Sequence, residues 1–292
     1  MQHCALPGNE AFAERLRAAT GAEALALEWR RFPDGESHLR FAGPVAPELA
    51  LVCSLDRPDE KALALLFAAR TARELGAARV GLVAPYLGYM RQDRRFRDGE
   101  AVTSTHFAAF LSQAFDWIVT VDPHLHRHAS LSEIYTMPAS AVAAAPALAG
   151  WIAANVERPV VLGPDEESEQ WAAGIAAACG APHAVMRKTR LGDREVRIEA
   201  PPLGAWKGRT PVLVDDIIST ARTMALAAAK VRAAGFDAPV CAGVHAVFAP
   251  GAEEALRAAG VRTVVTSNTI AHPTNAIDVA PLVASAIARE LK

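Results

Sequence analysis

Residues 212–223 read VLVDDIISTART, an apolar run that delivers two adjacent carboxylates, Asp215 and Asp216, into a turn rich in hydroxyl groups. Ser219, Thr220 and Thr223 supply those hydroxyls, with Ala221 and Arg222 between them. Carboxylates repel phosphate, so acids beside such a turn serve another group: sugar hydroxyls or a metal ion. The turn opens a helix whose first amides lack intrahelical acceptors and lie at the positive end of the helix dipole, a favourable seat for a phosphate. The pattern describes a pocket for a phosphorylated sugar at the carboxyl end of a buried strand, where open α/β sheets hold their ligands. The competing interpretation is a plain strand-to-helix turn in which Asp and Ser act only as caps.

Further chemistry-bearing stretches occur in order along the chain: FPDGE (32–36), RQDRRFRDGE (91–100), VDPH (121–124), GPDEES (163–168) and KTR (188–190). No GxxxxGK[ST] sequence and no protein-kinase motif set is present, so a nucleotide would be held in another way. His124, His126 and His128 alternate in HLHRH. With no cysteine or further histidine cluster to complete a tetrahedral set, they argue against a transition-metal site.

These residues need a scaffold. The 292-residue length suggests two domains, and 51% hydrophobic content is ample for their cores. With 30 basic and 32 acidic residues the net charge is −2, which excludes bulk electrostatic attraction to nucleic acid or an anionic membrane. The four cysteines are widely spaced and form no CxxC pair, and neither a leader pattern nor a run of 18 apolar residues occurs. A cytoplasmic protein with reduced thiols is expected.

Strands alternate with helices, which implies mainly parallel sheets. Asn9 is placed to cap a helix over 10–19, and a hairpin is expected around Asp34-Gly35. The strand ELALVCSL leads to a helix with Pro58 in its first turn and Gly76 beyond its end; ARVGLVAPY precedes the arginine-rich loop. After about residue 140 the scheme resumes with PVVLGPD, a helix through AAACG, a strand HAVMRKTR, EVRIEA and TPVLVDDII, with a helix from Thr220. The strands PVCAGVHAVF and VRTVVTSN and a terminal helix from about 279 complete the second half, with TIAHPTNAIDVA as a surface connection. Two similar α/β domains, 1–140 and 141–292, are the expected architecture, related by internal duplication.

Taken together, the acidic strand, FPDGE, RQDRR, VDPH and KTR resemble the ribose-phosphate pyrophosphokinases, also called phosphoribosyl pyrophosphate synthetases. The likeness spans most of the chain. The DDIISTART stretch alone resembles the wider phosphoribosyltransferase class; FPDGE, RQDRR and KTR narrow it. The resemblance implies two phosphoribosyltransferase-like domains and transfer of the diphosphoryl group of ATP to the C1 hydroxyl of ribose 5-phosphate, with Mg²⁺ as cofactor. Phe32, Asp34, Gly35 and Glu36 would hold adenine across a subunit boundary of a homo-oligomer (dimer, tetramer or hexamer). Arg91, Gln92 and Asp93 would contact ATP, His124 the Mg-ATP complex, and Asp165 a magnesium near the ribose. Lys188 and Arg190 would be catalytic, Arg190 also reaching ribose 5-phosphate; Asp215 and Asp216 would engage ribose, and Ser219, Thr220, Ala221, Arg222 and Thr223 the 5-phosphate.

Two stretches depart from the family pattern. Where many members carry two glycines or Ala-Gly, this chain has Ala221-Arg222; a glycine at the second position would tolerate positive φ. Glu167-Ser168 replaces a Gly-Gly pair after Pro164-Asp165. Alternative readings are a nucleobase phosphoribosyltransferase, which leaves FPDGE and RQDRR idle, and a catalytically silent regulatory homologue, against which the intact KTR argues.

Overall fold

The structure, a computed structural model, describes residues 1–125, 127–190, 196–199 and 201–291; for 167, 170, 188–190 and 196–199 the description is of the backbone alone. The chain divides into two compact units, one formed by 1–143 with 269–271 and 280–292, the other by 144–268 with 272–279.

The first unit is built on β1 (Gln2–Ala5), α1 (Glu10–Thr20), β2 (Glu23–Ala24), β3 (Leu27–Arg31), β4 (Ser37–Phe41), β5 (Glu48–Val52), α2 (Pro58–Glu74), β6 (Arg79–Ala84), α3 (Thr103–Ser112), β7 (Trp117–Val121) and β8 (Ala139–Val142). Six strands pair in parallel in the order β2-β1-β5-β6-β7-β8. Buried Leu49, Leu51, Leu82 and Ile118 are fully removed from water, as expected of near-continuous apolar strands covered by helices. Each such side chain contributes about 1.5–3 kcal/mol by burial.

The second unit contains α4 (Ala145–Asn155), β9 (Pro159–Gly163), α5 (Glu169–Cys179), β10 (His183–Val185), β11 (Arg187–Arg190), β12 (Val196–Glu199), β13 (Thr210–Ile218), α6 (Arg222–Ala233), β14 (Val240–Ala246), α7 (Ala252–Ala258), β15 (Thr263–Ser267) and β16 (Asn275–Ile277). Its parallel sheet runs β10-β9-β13-β14-β15-β16.

Ranked along the chain within each sheet, both orders are second-first-third-fourth-fifth-sixth. Both units also insert a two-stranded antiparallel ribbon between the second and third strands: β3–β4 in one, β11–β12 in the other. Each ribbon packs, through its second strand, on the helix after the third strand: β4 on α2 and β12 on α6. The duplication expected from pattern is therefore present in topology, and FPDGE and KTR ride on equivalent ribbons.

Several local expectations are corrected. Asn9 holds the N-cap position of α1, but its side chain makes no cap bond; its amide donates to the Leu6 carbonyl at 3.0 Å and its Oδ1 accepts from the Ser54 amide at 2.7 Å. HAVMRKTR is two strands in different sheets, because Met186 turns inward between β10 and β11 and is fully buried. TIAHPTNAIDVA contributes β16, an edge strand, instead of being only a connection. The terminal helix α8 (Ala280–Glu290) packs on α1, β7 and β8 of the first unit, whereas its place in the sequence suggested the second. Its Arg289-containing end is tied by Ser140 to Glu290 and by Arg79 to the Glu290 carbonyl at 3.1 Å.

Candidate functional site

In a 2-1-3 strand order the crevice lies where the order reverses, between the first and third strands. In the second unit that is the β9/β13 boundary. Pairing of β13 with β9 stops at Leu213↔Leu162, while pairing with β14 continues to Ile218↔Ala246. Asp215 and Asp216 therefore lie within β13, not at its end as expected, on a stretch whose β9 flank is open. The physical reason is that β9 ends at Gly163 and gives way to the loop that carries Asp165.

Asp165 has extended backbone and caps a short 3-10 turn, Glu166–Ser168, in a reciprocal capping box with Ser168. Ser168 Oγ donates to the Asp165 carbonyl at 2.5 Å. Ser168, one of the two departures from the family's glycines, thus orders the acidic loop. Asp215 is half-buried; desolvation first, then the neighbouring charges of Asp216 and Asp165, raise its pKa well above the ordinary carboxylate value. Carboxylate oxygens are the donors a hard divalent cation prefers. Among the described residues no group of three or more His, Cys, Asp or Glu is gathered into a ready-made metal cage. A cation that keeps several waters and takes one or two carboxylates fits this arrangement.

The loop after β13 is fastened by two bonds: the Phe248 amide donates to Ile218 at 2.8 Å, and the Ala249 amide to Ser219 at 3.1 Å. Ala221 adopts the left-handed conformation (φ 56°) at the N-cap of α6. Arg222 is already helical and exposed, so the strained position falls one residue before the one expected. Ala221 carries no capping oxygen and its side chain makes no cap bond, and the start of α6 lies at the positive end of the helix dipole, which favours an anion. Lys188 and Arg190 lie on β11, in register with Ile198 and Val196 of β12. Their side chains, and the 191–195 segment that joins the ribbon, lie outside the described residues.

In the first unit the corresponding crevice between β1 and β5 is filled. Ser54 Oγ accepts from the Tyr86 amide at 3.3 Å and donates to the Thr269 carbonyl, the Ser54 amide donates to Asn9 Oδ1 at 2.7 Å, and Lys61 donates to the Ser54 carbonyl at 2.8 Å and pairs with Asp56. The candidate residues here stand farther along the sheet, after β6 and β7.

Phe32 opens the turn of the β3–β4 hairpin, its amide donating to Glu36 at 2.8 Å and the Gly35 amide closing back on Phe32 at 2.9 Å. Asp34 accepts from the Glu36 amide at 3.2 Å. Phe32 is 38% exposed, with Arg30 over its ring at 4.4 Å. Arg91 and Gln92 are exposed; Gln92 Oε1 accepts from Thr103 at 2.8 Å, which turns its amide nitrogen into the available donor. Asp93 accepts from Arg127 through both oxygens, at 2.8 and 2.9 Å, a pairing across 34 residues that spacing does not reveal. His124 has φ 53° in a tight turn in which its amide donates to Asp122 at 2.8 Å. His128 is paired with Glu133 at 3.3 Å, and His126 lies outside the described residues, so the alternating histidines form no described cluster. The structure brings RQDRR and the VDPH loop together in this unit and Asp165, Asp215, Asp216 and the α6 start together in the other.

Comparison with known proteins bears on the family and the fold of the chain. Residues 1–114 match the N-terminal domain of ribose phosphate pyrophosphokinase, and residues 130–282 match the phosphoribosyl transferase domain. The chain is 36% identical over 276 residues to a ribose-phosphate pyrophosphokinase of Methanopyrus kandleri, covering 94% of both chains. It is 36% identical to the enzyme of that name from Saccharolobus solfataricus, covering 84% of each. A crystal structure of phosphoribosylpyrophosphate synthetase from Mycobacterium smegmatis superposes with a TM-score of 0.84 at 26% identity, covering 99% of this chain and 98% of that one. Among the described residues no helix is long and apolar enough to cross a membrane. By sequence over nearly its whole length and by fold, this chain belongs to the ribose-phosphate pyrophosphokinase family.

Proposed function

We propose that the chain transfers the β,γ-diphosphoryl group of ATP to the C1 hydroxyl of ribose 5-phosphate, yielding phosphoribosyl pyrophosphate and AMP. The observation that carries this reading is the position of Asp215, with Asp216 and Asp165 as its charged neighbours, on the stretch of β13 that β9 leaves unpaired and that leads through the hydroxyl turn into the start of α6. Acids for hydroxyls or a cation and amides for a phosphate are the two requirements of a pentose phosphate.

Ser219 through Thr223 and the first amides of α6 bind the 5-phosphate in this reading, and Asp215 and Asp216 orient the ribose. The Phe32–Glu36 turn offers an aromatic face and polar edges for adenine, supplied to a second copy in a homo-oligomer. Arg91 and Gln92 donate to the nucleotide. Arginine suits a forked grip on phosphate oxygens, whereas lysine acts as a point charge. Lys188 and Arg190 accordingly stabilise charge that develops as the diphosphoryl group moves. His124 and Asp165 are the residues assigned to Mg²⁺, which when bound neutralises polyphosphate charge.

Purified protein is expected to release AMP only when ATP, Mg²⁺ and ribose 5-phosphate are all present. Lys188→Ala should lower turnover on the order of 10²-fold or more while Mg-ATP binding persists, since its charge acts on the transition state. Protein that binds both ligands yet releases no AMP would overturn the reading.

A further inference from the structure

Asp93 and Arg127 form an asymmetric pair: the carboxylate side chain is 4% exposed and the guanidinium 42%. Both oxygens of Asp93 engage a single nitrogen, Nη1, instead of spanning the guanidinium fork. Among the described residues Arg127 makes no other hydrogen bond, so Nε and Nη2 remain as donors at the exposed pole of the pair. A carboxylate this buried is costly to leave ionised unless a cation stays with it, so Asp93 keeps Arg127 in place.

The setting is cationic and nucleotide-directed. Asp93 follows Arg91 and Gln92 directly; Arg127 is three residues beyond His124. Their pairing therefore joins the two loops to which the proposed function assigns ATP. Phe96, 55% exposed, carries Arg94 over its ring at 4.7 Å and Arg127 at 5.9 Å, so a guanidinium pair shares one aromatic platform. The loop itself is held in shape by Glu100, which accepts from the Phe96 and Arg97 amides at 2.9 and 3.1 Å.

We propose that Arg127 is a further phosphate-binding residue of the nucleotide site, donating from its Nε–Nη2 edge to the polyphosphate, and that Asp93 is the positioning residue that orients it. This rests on the reading of RQDRR and VDPH as the ATP loops. Arginine with one nitrogen anchored loses little further freedom on gripping an anion, which is how preorganised binding groups gain affinity.

Steady-state kinetics of the full chain, followed as AMP release, test the proposal. Wild-type turnover with ATP and ribose 5-phosphate is measured first; its absence would sink the functional reading itself, a result distinct from those below. Arg127→Ala is expected to raise KM for Mg-ATP at least tenfold and leave KM for ribose 5-phosphate within twofold. Asp93→Asn should shift the same constant in the same direction by less, and the double variant should be no worse than Arg127→Ala alone, because one residue acts through the other. Arg127→Lys, which keeps the charge and most of the volume, should recover part of the loss and serves where the alanine variant fails to fold. An Mg-ATP KM within twofold of wild type in Arg127→Ala, equal rises in both KM values, or additive effects of the two changes would overturn it.

Discussion

Gly163, the last residue of β9, lies beneath Ser168 so closely that a Cβ built at Gly163 would overlap the Ser168 hydroxyl and stand 3.2 Å from Val185 Cγ2. The strand end and the acidic loop are thus packed as one piece, and the loop's Asp165 depends on it. Gly163→Ala should displace Ser168, break its 2.5 Å bond to the Asp165 carbonyl, and destabilise the protein by about 1–3 kcal/mol. Adding Ser168→Ala removes the overlapping atom, so the double variant should melt higher than Gly163→Ala alone. Thermal melts of the three proteins decide this; a double variant melting at or below Gly163→Ala would contradict it.

Asp215 gives the acidic cluster its pH signature. Its pKa is raised, by burial first and by Asp216 and Asp165 next, so the folded protein binds a proton that the unfolded chain has already released. Stability is therefore lost as pH rises from the ordinary carboxylate range through the raised value. Without divalent cation, Asp215→Asn should melt above wild type at pH 8, with the gap closing near pH 4, while AMP formation falls. A wild type that is the more stable protein at pH 8 would contradict this account of the cluster.

His3 works in the opposite direction. It is fully buried on β1 with neither ring nitrogen hydrogen-bonded, and its pKa is pushed down to about 4, by burial first and then by Arg17 and the terminal ammonium. The unfolded chain takes up a proton near pH 6.5 that the folded state refuses. Stability is thus complete above that pH and declines as pH falls toward 4, by about 3 kcal/mol in total. Denaturant unfolding from pH 7 to 4 should show this slope in wild type and its loss in His3→Leu; parallel curves would refute it.

Gly81 on β6 and Trp117 on β7 are cross-strand partners, and the fully buried indole occupies the volume a side chain at Gly81 would need. Gly81→Ala should destabilise the first unit by about 3 kcal/mol, the upper part of the range for overpacking. Trp117→Phe in the same chain should restore part of that loss, since the indole nitrogen has no hydrogen-bond partner to forfeit. No recovery in the double variant's unfolding midpoint would count against the packing argument.

The parts of this molecule visible in its sequence are those written in local chemistry. The apolar run into Asp215 and Asp216, Pro58 with Asp59 and Glu60 opening α2, and Asp34-Gly35 between two strands each state their structure within a few residues. β1, β8 and β16 did not, because QHCA, ASAV and NAI are short and mixed in polarity and become strands through their neighbours. The partner of α8 is a tertiary choice that connectivity misassigns. The acids and the hydroxyl turn of the candidate site were legible, but three features of the molecule were not. Ala221 takes the left-handed position, Asn9 spends its side chain on Ser54, and Asp93 pairs with Arg127; each depends on a contact or dihedral set at long range.

The most direct test of the central claim is the identity of the products, followed by ³¹P NMR of the purified protein with ATP, Mg²⁺ and ribose 5-phosphate. Transfer of a diphosphoryl group predicts AMP and phosphoribosyl pyrophosphate appearing in equal amounts, with no ADP formed. Accumulation of ADP with a ribose bisphosphate, or unchanged ATP in the presence of ribose 5-phosphate, would contradict it.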